Sequence, residues 1–297
     1  MKKLITLLTM TVCFNAGISL AQEKNVFTFN VGNVEVQLLS EGQQPGNTGI
    51  LIGATPEQHQ KSMPEGGFTT AMNAFLIRTE GKNILIDTGV GRNLFDNLKS
   101  LNVNAEQIDA VLITHAHGDH IGGLLQNGQA SFPNATLYLS QPEYDFWTSD
   151  EMMNQAEENR RAGFLALRSV VEVYKERLHL FTPDELDANA TMLFPEIQGI
   201  ATYGHTPGHT VFMVGSDKEK LLIWGDLTHV LPVQMRYPHL AVTYDVDTEQ
   251  AVASRLKILE YVSKNHIPIA GMHIAYPAIG NIKENADGGY EFTFILF

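Results

Sequence analysis

Cysteine is almost absent: Cys13 is the only one in 297 residues. One thiol cannot form an intrachain disulfide, so no disulfide framework holds the chain together. Cationic residues are also scarce, with 20 Lys and Arg against 33 Asp and Glu and a formal net charge of −13. Such a chain repels phosphate backbones, which excludes nucleic acid as a general partner, although a polyanion can still be drawn to a local metal centre. Low-complexity segments and short-period repeats are missing too, which excludes fibrous and solenoid architectures. Past the first twenty residues no apolar run approaches the length needed to cross a bilayer. What remains is 44% hydrophobic, ordinary for a soluble globular chain. The length suits one large domain or two small ones.

The amino end reads as an address. Met1-Lys2-Lys3 is a short basic start, residues 4–14 are mostly apolar, and Ser19 and Ala21 place small side chains at the −3 and −1 positions of a cleavage site. This is the pattern of a secretory signal, residues 1–21, cleaved after Ala21. An uncleaved anchor is opposed by the shortness of the stretch and by Asn15, Gly17 and Ser19 within it. Lipid attachment at Cys13 is opposed by the bulky Val12 before it. Cleavage removes Cys13 together with Lys2 and Lys3. The mature chain, 22–297, is then a thiol-free single domain, exported to the periplasm or secreted, with no membrane attachment. A cysteine nucleophile and a Cys-ligated zinc finger are excluded.

Strands are expected at 26–30 and 34–39 around Gly32, at 73–77 and 84–87, at 110–114, 136–139, 200–203, 211–214 and 221–224, and late at 267–270 and 291–296. Residues 42–67, rich in Gly, Pro, Gln and Ser, read as a loop. A short helix is expected at 92–101. A long one is expected from 150 to about 177, with Phe164, Leu167, Val171 and Tyr174 along one face. Another is expected at 247–264, capped by Asp247 or Thr248, with a stripe of Val252, Leu256, Leu259 and Val262. Strands and helices mix in both halves, so the fold class is α/β or α+β.

The chemistry gathers in histidines. Thr114-His115-Ala116-His117-Gly118-Asp119-His120 packs three imidazoles and a carboxylate behind an apolar strand. These are the donors that suit zinc and related divalent ions. His115 and His117 alternate by two and can point the same way. Asp119 and His120 lie further on and can face a neighbouring site, and Gly118, Gly122 and Gly123 permit the tight turn. Three later positions extend the set: His205 and His209 in Gly204-His205-Thr206-Pro207-Gly208-His209-Thr210, Asp226 at the end of an apolar strand, and His273 after another. His59, His179, His239 and His266 have no such context and read as surface residues.

This order of residues resembles the metallo-β-lactamase-fold hydrolase superfamily, and Asp87-Thr88-Gly89 after an apolar strand matches that superfamily's first motif. The resemblance spans essentially all of the mature chain. It implies a four-layer αβ/βα sandwich with metals at the edge between two similar halves. It also implies a ligand set: His115, His117 and His209 on one metal, Asp119, His120 and His273 on the other, and Asp226 bridging them. Asp87 is implied to orient a ligand imidazole, and His205 to order its loop or support the ligands. Asp at 226, in place of Cys or Ser, resembles the dinuclear hydrolase branches rather than the true β-lactamases. A narrower resemblance, to the exported methyl parathion hydrolase-like group and the neighbouring quorum-quenching lactonases, rests on Phe132-Pro133-Asn134-Ala135, Asp145-Phe146-Trp147 and His273-Ile274-Ala275-Tyr276-Pro277-Ala278-Ile279-Gly280. It makes Trp147 and Phe164 pocket walls, with plain core packing as the other reading of both. His229 is expected at the pocket mouth.

The implied cofactor is two divalent metal ions per chain, with Zn2+ as the first choice; iron, manganese and cobalt also suit such donors. The implied reaction is hydrolysis by a hydroxide shared between the metals, with Asp119 and Asp226 as the carboxylates of the reacting centre. The substrate expected is a small-molecule carboxylic ester or lactone of the acyl-homoserine lactone type. The alternative is a phosphotriester, which needs nearly the same chemistry, and a remote one is a non-catalytic periplasmic metal-binding protein. Between Gly89 and Leu98 the chain is shorter than in the phosphotriesterase members, which weighs against the organophosphate. β-Lactam, thioester and phosphodiester cleavage rank lower still. No motif encodes the oligomeric state, a homodimer being the commonest assembly.

Overall fold

A computed structural model describes residues 25–186, 188–216 and 219–295. The expected signal segment and position 296 of the last expected strand lie outside the described residues. In chain order the elements are β1 (Val26–Val31), β2 (Val34–Pro45), α1 (Pro56–Ser62), β3 (Thr69–Thr79), β4 (Lys82–Ile86), α2 (Leu94–Ser100), β5 (Ala110–Leu112), α3 (Gly118–Ile121), β6 (Leu125–Gln126), β7 (Gln129–Ala130), β8 (Thr136–Ser140), α4 (Gln141–Thr148), α5 (Asp150–Gln155), α6 (Glu158–Tyr174) and β9 (Leu178–Phe181). Then follow β10 (Met192–Phe194), β11 (Ile197–Ala201), β12 (Thr210–Ser216), β13 (Glu219–Ile223), α7 (Leu231–Arg236), α8 (Thr248–Asn265), β14 (Ile269–Ala270), β15 (Ile279–Glu284) and β16 (Tyr290–Phe294).

Two seven-stranded sheets carry the fold. One runs β1-β2-β3-β4-β5-β8-β9 and the other β10-β11-β12-β13-β14-β15-β16. Alternation along each strand sorts side chains onto two faces. Val34, Val36, Phe75, Ile77, Ile84, Ile86 and Leu112 point into a core shared with Phe212, Val214, Leu221 and Ile223 of the second sheet. Leu39, Ala74, Leu76, Leu85, Val111 and Leu137 point the other way, under Leu98 of α2, Trp147 of α4 and Phe164, Leu167 and Tyr174 of α6. The outer face of the second sheet is covered by Ile258, Leu259 and Val262 of α8. Helix, sheet, sheet and helix make the expected four layers. Among the described residues no helix is long and apolar enough to cross a membrane.

Three elements depart from the sequence pattern, each for a local reason. The stretch read as a loop at 42–67 holds the end of β2 and also α1, which starts in a capping box between Thr55 and Gln58. The expected helix at 150–177 breaks at Ala156 and Glu157, whose backbones are extended, and α6 buries Val170 rather than Val171. Helix α8 is turned away from its expected stripe: Leu256 is 39% exposed while Arg255 is buried. The Arg255 guanidinium donates to the carbonyls of Leu227, Pro238 and Leu240. A charged side chain with three buried acceptors therefore occupies a core position that a hydrophobicity pattern assigns to solvent.

Candidate metal centre

The strands that matter end together. β4 and β5 pair in parallel in one sheet, and β13 and β14 in the other. The segments leaving their carboxyl ends carry Asp87, His115 to His120, Asp226 and His273 to a common point. Gly225 (φ +56) makes the turn at the end of β13, where an added Cβ would stand 2.7 Å from His209 Nε2. Only glycine fits that approach.

Three overlapping groups of donors meet there: His115, His117, His205 and Asp226 form the first, Asp119, His120 and His273 the second, and Asp226, His229 and His273 a third that shares members with both. In the first, His117 Nδ1 lies 3.0 Å from both His115 Nε2 and His205 Nε2. Asp226 stands between the first two. Its Oδ2 is 3.6 Å from His115 Nε2 and 3.3 Å from His205 Nε2. Its Oδ1 is 3.1 Å from His120 Nε2 and 3.2 Å from His273 Nε2. Asp119 reaches His273 Nε2 at 3.5 Å.

The environment suits cations. Burial works against the charge on Asp226, but His120, His273, His115 and His229 outweigh it and hold the carboxyl well below its usual range. Burial pushes His115 and His117 well below the ordinary histidine value. Burial also opposes charge on His273, but Asp226 and Asp119 outweigh it and raise that imidazole to about 9. Buried Asp226 Oδ1 and His120 Nε2 face each other with no hydrogen-bond partner. Orphaned donors and convergent imidazole nitrogens in a carboxylate-bearing pocket fit divalent ions of the zinc type.

Supporting groups fix the rings, as metal ligands require. Asp87 accepts from Thr114 N–H at 2.8 Å and from the Thr114 hydroxyl at 2.7 Å, and pairs with His120 Nδ1 at 2.6 Å. His273 Nδ1 meets the Ala71 carbonyl at 2.9 Å. His205 Nδ1 meets Asp245 at 2.8 Å.

One expected placement changes. His209, implied as the third imidazole beside His115 and His117, is not in that group, and His205 stands there instead. Both His209 nitrogens are engaged elsewhere: Nδ1 on the Thr202 hydroxyl at 2.8 Å, and Nε2 accepting the Asp226 backbone N–H at 3.0 Å. The reason is local. His209 directly precedes β12, whereas His205 lies in the turn between β11 and β12, both of them buried. That signal, distance from the apolar run, was present in the sequence. Asp245 and Glu143 had no such signal, because their partners are far along the chain. His179, His239 and His266 are exposed, and His59 is half-buried.

Above the donors opens a cavity of about 1020 Å³. His117, Asp119, Asp226, His229 and His273 form its polar floor, and Phe68, Met72, Phe146, Trp147 and Phe164 its apolar wall. Trp147 and Phe164 thus both line the cavity and pack in the outer core, their rings 4.7 Å apart. His229 is buried beside Asp226, with Nε2 at 2.9 Å from Oδ2.

A two-sheet sandwich with His/Asp groups at its edge under a cavity is the arrangement of metal-dependent hydrolases. The chain belongs to the metallo-beta-lactamase superfamily, whose family model matches residues 69–264. Among solved structures it is similar to the hydrolase AbOPH of the beta lactamase superfamily, at 28% identity with TM-score 0.83, covering 93% of this chain and 99% of that one. It is also similar to AidC, a dizinc quorum-quenching lactonase in complex with a product, at 26% identity with TM-score 0.81, covering 92% and 98%. Curated relatives match over shorter stretches. The Anti-Pycsar protein Apyc1 of Saccharibacillus brassicae is 46% identical over 56 residues, 19% of this chain and 22% of its own length. The uncharacterized protein YobT of Bacillus subtilis is 26% identical over 157 residues, 52% of this chain and 61% of its own length.

Proposed function

We propose that this protein is an exported, dinuclear metal-dependent hydrolase of carboxylic esters or lactones, including acyl-homoserine lactones. The observation that carries the reading is Asp226, whose two oxygens each face a separate imidazole group beneath an apolar cavity. His115, His117, His205 and Asp226 would hold one ion, and Asp119, His120, His273 and Asp226 the other, with zinc the first choice for such donors. When bound, such a pair supplies an activated water near neutral pH and an electrophile for the substrate's oxygen. The chain supplies the rest. Asp226 keeps the two groups in register, its negative charge held by the imidazoles around it. His229, at the cavity floor, is placed to touch the leaving side of a substrate. Phe68, Met72, Trp147 and Phe164 hold an acyl chain and exclude water, at about 0.8 kcal/mol for each methylene buried. The likeness to AidC, itself a dizinc quorum-quenching lactonase, supports this choice.

The aromatic cluster of Phe146, Trp147 and Phe164 favours a second reading, an aryl phosphotriester. A paired assay separates the two. The kcat/KM for an acyl-homoserine lactone is expected to exceed that for an aryl phosphotriester, and both are expected to vanish with a chelator. Phosphotriester dominance would reverse the order of the readings, and activity that survives chelation would overturn the metal mechanism. Export has its own test: the intact mass of chain recovered outside the cytoplasm is expected to begin at Gln22. Retention of Met1 on the recovered chain would overturn the cleaved signal.

A further inference from the structure

Glu143 is a fully buried carboxylate on α4 that belongs to none of the donor groups, and each of the four hydrogen-bond partners of its side chain is a donor. Oε1 accepts from Ala116 N–H at 2.7 Å and from the Trp147 indole N–H at 2.7 Å. Oε2 accepts from the Thr206 hydroxyl at 2.7 Å and from Gly208 N–H at 2.8 Å. Ala116 lies between His115 and His117. Thr206 follows His205. The first loop leaves one sheet and the second belongs to the other, so a single carboxylate spans the seam between the halves at the first donor group. The 204–210 turn presses hard on α4: a Cβ on Gly208 would stand 2.2 Å from Glu143 N. Ser140, the cap of α4, also donates to the Gly208 carbonyl at 2.7 Å. The third thing Glu143 holds is the cavity wall, since the Trp147 ring stands edge-on to His117 with centroids 5.8 Å apart.

We infer that Glu143 is a positioning residue for the first ion alone: it sets the spacing of His115 and His117 against His205 and ties that spacing to the substrate wall at Trp147. The inference rests on the dinuclear reading above. The carboxylate form is specific to the task. It accepts at both ends, whereas a glutamine presents an NH2 group to two donors, losing two bonds and creating a donor–donor clash. Partners that orient ligands in this way govern metal affinity about 10- to 100-fold. Asp87 and Asp245 each hold one ring, whereas Glu143 holds two backbones and a wall.

The test is chelator competition on zinc-loaded protein, reading metal content by atomic emission in two backgrounds. His273→Ala leaves the first group intact, and His205→Ala leaves the second. Adding Glu143→Gln is expected to weaken the retained ion about 10- to 100-fold in the first background and to leave it unchanged in the second. Equal weakening in both would mean general loosening of the fold and would overturn the inference, as would no weakening in either. If Glu143→Gln does not fold, Thr206→Val removes one of the four donors at similar shape. It is expected to weaken the same ion about 10-fold in the first background only. The two readings fail separately. Wild-type protein that takes up no zinc overturns the dinuclear centre and this inference with it. Wild type that takes up two, with a Glu143 variant that holds both as tightly, overturns this inference alone.

Discussion

Replacing Asp226 by asparagine is expected to lower kcat by at least about 10³-fold while the chain stays folded. The substitution keeps the shape and removes the charge. Asparagine carries one oxygen where two are needed, since Oδ2 faces His115 and His205 and Oδ1 faces His120 and His273. Whichever way the amide turns, one group faces an NH2 in place of an oxygen, and neither group faces a negative charge. Two measurements decide the case together: steady-state turnover, and the number of zinc ions retained after dialysis. Loss of turnover with at least one ion lost or weakened is the expected pair. A folded Asp226→Asn protein with near wild-type kcat would remove the bridging carboxylate from the mechanism.

The second large effect separates two histidines four residues apart. His205→Ala is expected to lose one zinc ion and about 10²- to 10³-fold in turnover, because its Nε2 stands in the first donor group. His209→Ala is expected to act on stability instead. It removes the acceptor of the buried Asp226 N–H and the partner of Thr202. An orphaned buried donor costs about 1–3 kcal/mol. The expected signature is therefore a lower midpoint of unfolding with both ions retained. The reverse pattern, zinc lost from His209→Ala and kept by His205→Ala, would restore the assignment that the motif alone implied.

Much of this architecture was legible in the chain. The apolar runs at 73–77, 84–87 and 211–214 could be read as strands because both faces of each are buried, one against a sheet and the other against a helix. His115, His117, Asp119 and His120 stood out because four donors sit within six positions. What could not be read is of two kinds. Short polar elements such as α4, whose Glu143 and Trp147 face inward, carry no period to detect. Long-range partners carry no local mark: Asp245 finds His205 from forty residues away, and Arg255 finds carbonyls of two distant loops. The exchange of His205 and His209 belongs between these kinds. The motif supplied the pair, and only the placement of each histidine against β12 could tell them apart.

The donors' origin has a thermodynamic consequence. His115, His117 and His120 hang from one sheet, and His205, Asp226 and His273 from the other. Any ion they hold is a cross-link between the halves that exists only when both are docked. Binding free energy then appears as folding free energy. An ion present at a hundred times its dissociation constant adds about 2.7 kcal/mol to the folded state. The lifetime of the protein would accordingly follow the metal supply of its surroundings, and starvation for metal would unfasten the sandwich along its seam as well as silence its chemistry.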